Sequence, residues 1–429
     1  MSRKQNFLFV LPMLPYPMES GGHQALHNSI AAVMDDFNVF VVYEAQDTEE
    51  YRKAFDEISR KWHTVTFLPL LSKPHVETLE KKIIRYGKKL LKIITRSGNR
   101  KPNEADTRIR SLTEWWKYTV TPDNRLWLKH IHNICVNYHI DIVQIEMPWI
   151  ISDVLAIPSG IRKIYVHHEL GFVRRKQEIE AIKEDIYAEV CRRFADMNEI
   201  ALLNLYDMVI TLSPVDAEKM KNMGVKVPIF PSFAVIDSPI QIKEDKGNGK
   251  RLTFIGPEIH NPNFVGITWF LDNCWGMLKK KCPEMQLDII GNWSESRKDE
   301  YIAKYEDISF LGFVDNLEAS VKDSTLIVPI TIGSGIRMKI LEASSKGIPF
   351  VSTSVGAEGI PLVSGEDCYI ADSPEDFVNA VLDLQDSKIR NKFIKNANRM
   401  VREHFSLSSL RENRLNIYKN ICKQSKIGS

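Results

Sequence analysis

Gly333-Ser334-Gly335-Ile336-Arg337-Met338-Lys339-Ile340-Leu341-Glu342-Ala343, followed by Lys346-Gly347-Ile348-Pro349-Phe350-Val351, reads as a glycine-bearing loop, a short helix with two cations and a carboxylate, and a buried strand. A helix start stripped of side chains exposes free N–H groups and the positive end of the helix dipole, which together favour an anion such as a phosphate. Arg337 and Lys339 add full charges to that end. Glu342 lies about one turn deeper, where a carboxylate can accept hydrogen bonds from paired sugar hydroxyls. A nucleotide diphosphate sugar has both needs.

The strand that closes this segment belongs to a longer series. Short apolar runs alternate with amphipathic ones along the chain, the pattern of strands and crossover helices in parallel sheets, so the fold class is α/β. Strands are expected at Phe7 to Leu11, Val39 to Tyr43, Val65 to Leu68, Ile142 to Ile145, Lys163 to Val166 and Met208 to Leu212. A second set is expected at Leu252 to Ile255, Leu287 to Ile290, Ser309 to Leu311, Leu326 to Pro329, Phe350 to Ser352 and Cys368 to Ile370. Between the sets, 237–250 is polar, rich in turn formers and without apolar period, which marks a linker. The expected organisation is a first sheet domain over 1–236, a second over 251–405, and a terminal helix within 406–429 that can pack back on the first domain.

At 429 residues the chain exceeds what one hydrophobic core usually serves. Hydrophobic content of 44% with 26% charged residues is that of a folded globular protein, and a net charge of +2 is not the basic excess of a nucleic-acid binder. The six cysteines lack the C-x-x-C spacing of a zinc site or redox pair. Arg3, Lys4 and the apolar run Phe7 to Leu11 imitate a signal peptide, but Pro12, Pro15 and Pro17 interrupt it, and a first buried strand fits better. No apolar segment reaches the length of a membrane span, so a cytoplasmic location is expected. One segment stands apart. From Lys81 to Lys101 paired cations alternate with paired apolar residues, as in Lys88-Lys89-Leu90-Leu91-Lys92. Such a helix can lie on an anionic membrane surface, on the inner face of the membrane, or pack on its own domain; both readings need the same apolar stripe.

The pattern Gly-Ser-Gly-x-Arg-x-Lys-x-Leu-Glu-Ala, with Gly-x-Pro-x-Val-Ser-Thr behind it, resembles the donor-site signature of glycosyltransferase family 4. The likeness extends to Leu252-Thr253-Phe254-Ile255-Gly256 with Asn261-Pro262-Asn263, to Phe310-Leu311-Gly312-Phe313-Val314-Asp315, and to Leu11-Pro12 through Ser20-Gly21-Gly22 near the start. The resemblance implies the GT-B architecture, two Rossmann-like parallel-sheet domains facing across a cleft. It implies a retaining transfer from a nucleotide diphosphate sugar to an acceptor hydroxyl, with Arg337 and Lys339 on the diphosphate and Glu342 on the ribose. His168 or His167, at the end of the strand Ile164-Tyr165-Val166, would contact the donor sugar, and His168 is preferred. Gly22, Gly256, Gly312, Gly333 and Gly335 would let backbone approach the ligand, and Phe313 would lie beside the base. The family usually has a second carboxylate where this chain has Ser334.

No Asp-x-Asp occurs in the chain, so no metal site and no cofactor beyond the donor substrate is expected, and cations with a helix end must hold the diphosphate. The expected partners are a nucleotide sugar and a glycan or lipid-linked acceptor in bacterial surface polysaccharide or glycolipid synthesis, with no nucleic acid. Two other readings share the architecture. One is a sugar-nucleotide epimerase, for which no acid/base set is evident. The other is a non-catalytic subunit that binds nucleotide sugar or glycan, which Ser334 keeps open.

Overall fold

The computed structural model describes residues 3–18, 21–71, 116–180, 185–233, 235–236, 247–314 and 316–424. The basic segment 81–101 and linker residues 237–246 lie outside them. Two sheets form from short strands that are mostly buried on both faces. Parallel strands covered by helices read as continuous apolar runs, which is why these segments lack alternation.

The first sheet contains β1 (Asn6–Val10), β2 (Asn38–Ala45), β3 (Thr66–Leu71), β4 (Ile142–Glu146), β5 (Arg162–His167), β6 (Met208–Thr211) and β7 (Ile229–Pro231), in the order β3-β2-β1-β4-β5-β6-β7. The second contains β8 (Arg251–Ile255), β9 (Gln286–Ile290), β10 (Ile308–Gly312), β11 (Thr325–Val328), β12 (Phe350–Ser352) and β13 (Tyr369–Ile370), in the order β10-β9-β8-β11-β12-β13. Each strand expected from the sequence is found. The three-residue β7 was not expected, because Pro228 precedes it and Pro231 is its last residue, which leaves no apolar run to read.

The chain divides into two compact units. One consists of Met1–His167, Glu178–Val209 and Val225–Pro228; the other of His168–Gln177, Ile210–Gly224 and Ile229–Ser429. In the first unit, α1 (Gly21–Ala31) follows β1, and β1 pairs with both β2 and β4. The helix α2 (Gly171–Glu180) follows β5, and α3 (Ile186–Leu203) precedes β6.

The second unit has its topological switch at β8, which pairs with β9 on one side and β11 on the other. From β8 the chain runs through α4 (Asn261–Phe270) towards β9, and from β11 through α5 (Met338–Lys346) to β12. The carboxyl ends of two strands whose crossovers diverge leave a crevice, the usual ligand position in open α/β sheets. Two terminal helices follow, α6 (Ser387–His404) and α7 (Leu407–Gln424). The buried Arg414 of α7 donates from Nε to the Ser232 hydroxyl at 2.8 Å. Among the described residues no helix is long and apolar enough to cross a membrane.

Candidate functional site

Two loops of the second unit meet at the β8/β11 switch. The loop after β11 carries Gly333 at φ +116° and Gly335 at φ +79°. A Cβ on Gly333 would stand 2.9 Å from Arg337 Nη2, and one on Gly335 would stand 2.9 Å from the His168 carbonyl oxygen. Glycine is required here by conformation and by space together. The helix α5 begins only at Met338 and ends on Gly347 in the left-handed region, whose N–H reaches the Ala343 carbonyl. Arg337 is therefore the residue before the first helical turn.

Lys339 enters from the first turn of α5. Its Nζ donates to Asn263 Oδ1 at 2.8 Å and to the Ile255 carbonyl, and stands 4.9 Å from the centre of the Phe254 ring. Asn263 itself lies against Gly256, where a Cβ would come within 2.5 Å of the amide. Burial, and then the nearby Arg337 charge, push the Lys339 ammonium down to about 7, against the pull of Glu342. An ammonium has three donors, and two are engaged.

Arg337 turns back on its own loop. Its Nη1 donates to the Ser334 carbonyl and, at 2.8 Å, to the Gly335 carbonyl. Nε and Nη2 are buried without a hydrogen-bond partner among the described residues. Burial lowers the guanidinium's pKa, while the carboxylates of Glu169, Glu358 and Asp216 oppose that shift. Buried donors left open are the exception in folded proteins and call for an explanation such as a ligand.

Ser334, expected where a carboxylate is common, is 4% exposed, and its hydroxyl accepts from the Leu170 N–H at 3.1 Å. The Gly333 N–H donates to Gln177 Oε1 at 2.6 Å. Residues 168–177 thus clamp the glycine loop, which explains why they fold with the second unit. His168 is half-buried and carries the carbonyl against Gly335. His167 ends β5 in the first unit, buried, with Nε2 3.0 Å from the equally buried Glu199 Oε1. The pair of histidines is split by the strand end.

The remaining candidates stand apart from this loop. Glu342 is half-buried on α5, and no hydrogen bond or ion pair holds its carboxylate among the described residues. Gly256 follows β8 and Gly312 ends β10; the Gly312 carbonyl accepts from the Gly291 N–H at 2.9 Å. Phe313 follows at 77% exposure. Gly22 lies in the first turn of α1, in the other unit.

Sequence reading missed Asn263 as a partner of Lys339, and it missed His260 and Gly291. His260 stands before α4, where partial burial and the Arg174 and Lys339 cations lower its pKa and Glu169 opposes them. Gly291 at φ +134° follows β9 in an Ile-Ile-Gly pattern that mirrors Phe254-Ile255-Gly256, and that repetition was a readable signal. Among the described residues no group of three His, Cys, Asp or Glu side chains could hold a metal ion.

Residues 249–387, which include both switch-point loops, match the family described as Glycosyl transferases group 1. The match lies within the second unit and covers about a third of the chain. An uncharacterized 44.6 kDa protein in the cps region of Klebsiella pneumoniae is 25% identical over 190 residues, 41% of this chain and 47% of that protein. The chain thus spans about half the length of the curated relative it matches. The fold is similar to sucrose-phosphate synthase from Thermosynechococcus elongatus, with a TM-score of 0.68 at 13% identity over 98% of this chain and 100% of that one. It is similar to Anabaena HepE in complex with UDP, with a TM-score of 0.64 at 10% identity over 97% of this chain and 100% of that one. These likenesses establish a GT-B glycosyltransferase fold.

Proposed function

We propose that the protein transfers a sugar from a nucleotide diphosphate donor to an acceptor hydroxyl, with retention of anomeric configuration and without a metal, as a member of the Gly-x-Gly-x-Arg-x-Lys branch of family 4. The observation that carries this reading is the switch-point site. There two helix starts, the Lys339 ammonium and the open Nε and Nη2 of Arg337 surround a position suited to a diphosphate. Glu342, with its carboxylate unengaged, takes the ribose hydroxyls, and Phe313 lies beside the base. Glu169, close enough to act on the Arg337 charge, places a carboxylate near the loop where Ser334 has none.

In this mechanism the cations stabilise charge that develops on the departing diphosphate, a term that is often the largest in transfer catalysis. The acceptor approaches the face the diphosphate leaves, the departing phosphate takes its proton, and His168 contacts the donor sugar. The likeness to a protein of a cps region fits a role in bacterial surface polysaccharide synthesis; the basic, apolar-striped sequence of 81–101 is the basis for proposing a cytoplasmic enzyme with a peripheral membrane contact.

A thermal-shift screen of uridine, guanosine and adenosine diphosphate sugars, followed by release of nucleoside diphosphate over an acceptor panel, tests the reading. A ligand at 100 times its Kd adds about 2.7 kcal/mol of stability. Arg337→Ala and Glu342→Ala are expected to remove that shift; an unchanged shift overturns the site. Donor binding without release of nucleoside diphosphate identifies a binding subunit instead.

A further inference from the structure

The helix α3 is held on one side by buried residues, among them Ala188, Ala195, Glu199 and Leu202. Away from them, Ile186 is 79% exposed, Val190 56%, Phe194 59% and Met197 69%. Steps of four, four and three residues return to one face of a helix, so these side chains form a continuous apolar ridge about 16 Å long. It presents roughly 500 Å² of apolar surface, near the upper end for the largest patch on a typical monomer. An interface between identical subunits that buries about 800 Å² per partner, about 65% of it apolar, needs about that much.

The charges beside the ridge select the partner. Arg192 is paired with Glu189 and Asp196 at 2.7 and 2.5 Å, and Arg193 with Glu189 at 2.7 Å. Glu189 and Asp196 balance Arg192 and Arg193 beside the ridge, so no net positive charge draws it to an anionic lipid surface. The same charges are self-complementary. An antiparallel copy related by a two-fold axis near Cys191 brings Ile186 against Met197 of the partner subunit. It also packs Phe194 on the partner's Val190 and sets Arg193 beside the partner's Glu189.

We propose that the α3 ridge is a homodimer interface and that its occupant is a second copy of this chain in antiparallel two-fold contact. Analytical ultracentrifugation of the full chain is expected to give a dimer at micromolar concentration. Val190→Glu with Phe194→Glu is expected to give a monomer with an unchanged far-ultraviolet circular dichroism spectrum, since both side chains are exposed in the single copy, and a melting temperature lowered only by the lost association. Arg193→Glu is expected to weaken association about tenfold, and Glu189→Arg in the same chain to restore it. A monomeric parent chain overturns the proposal, as does a dimer that survives the double glutamate change. A parent chain that stays monomeric but binds anionic vesicles through these residues overturns it in favour of a membrane surface.

Discussion

Raising the pH from 7 to 9 is expected to weaken donor binding about 50-fold, through Lys339 alone. Burial among Ile255, Asn263 and the Phe254 ring, reinforced by Arg337, holds its ammonium at about 7 in the free protein. About half the molecules carry that proton at pH 7 and about one in a hundred at pH 9. A diphosphate oxygen 4 Å away at an effective dielectric constant near 20 contributes about 4 kcal/mol per charge, which raises the bound-state pKa by about three units. The free form therefore releases the proton across this range while the bound form retains it. Affinity falls as pH rises through 7, by about 2.3 kcal/mol in all. His260, whose pKa is lowered, stays neutral throughout and adds no slope. Isothermal calorimetry with an intact nucleotide sugar, in buffers of different ionisation heat, should show uptake of about half a proton at pH 7 and nearly one at pH 8.5. Lys339→Arg keeps its charge and should flatten the profile. A flat profile in the parent chain, or the same slope in Lys339→Arg, would refute the reasoning.

Asn263 supplies one of the two acceptors that fix the Lys339 ammonium. Asn263→Ala is expected to lower donor affinity about tenfold at pH 7 with the acceptor KM unchanged, whereas Asn263→Asp should move the break in the pH profile upward, because a carboxylate favours the charged amine. In the first unit, burial raises the Asp153 carboxyl to about 8, although the Trp127 indole N–H donates to it at 2.7 Å. Between about pH 4 and 8 the folded chain then holds a proton that the unfolded chain lacks, so stability falls as pH rises, by up to about 1.4 kcal/mol per pH unit. Asp153→Asn removes that slope, and its stability advantage measured by urea unfolding should widen from pH 5 to 7; parallel curves would contradict the assignment.

The strands were legible because burial on both faces leaves an unbroken apolar run, as in Phe7 to Leu11 and Leu326 to Val328. The helix α5 was legible in its charges and its Gly347 stop, and the loop in its glycines. What holds these pieces in place was not. Asn263 meets Lys339 across 76 residues, Gln177 meets Gly333 across 156, and Leu170 meets Ser334 across 164. No local pattern encodes contacts of that range, since they arise where separate crossovers return to one sheet edge. The two histidines show the same limit on a smaller scale. Adjacent in sequence, they part because β5 ends at His167, whose ring packs against Glu199, while His168 continues into the segment that clamps the glycine loop.

That clamp changes how the two cations divide their work. From sequence, Arg337 and Lys339 were equivalent charges at a helix start. In the structure Arg337 uses one nitrogen to tie down the carbonyls of Ser334 and Gly335, so it shapes the loop it charges. Its arginine identity matters because a guanidinium can bond the loop through Nη1 and still offer Nε and Nη2. Lys339 instead sits where proton loss costs little, fixed by Ile255 and Asn263. One cation is thus permanent and structural. The other is conditional, charged in full only when an anion arrives, which spares the empty site two uncompensated positive charges beside each other.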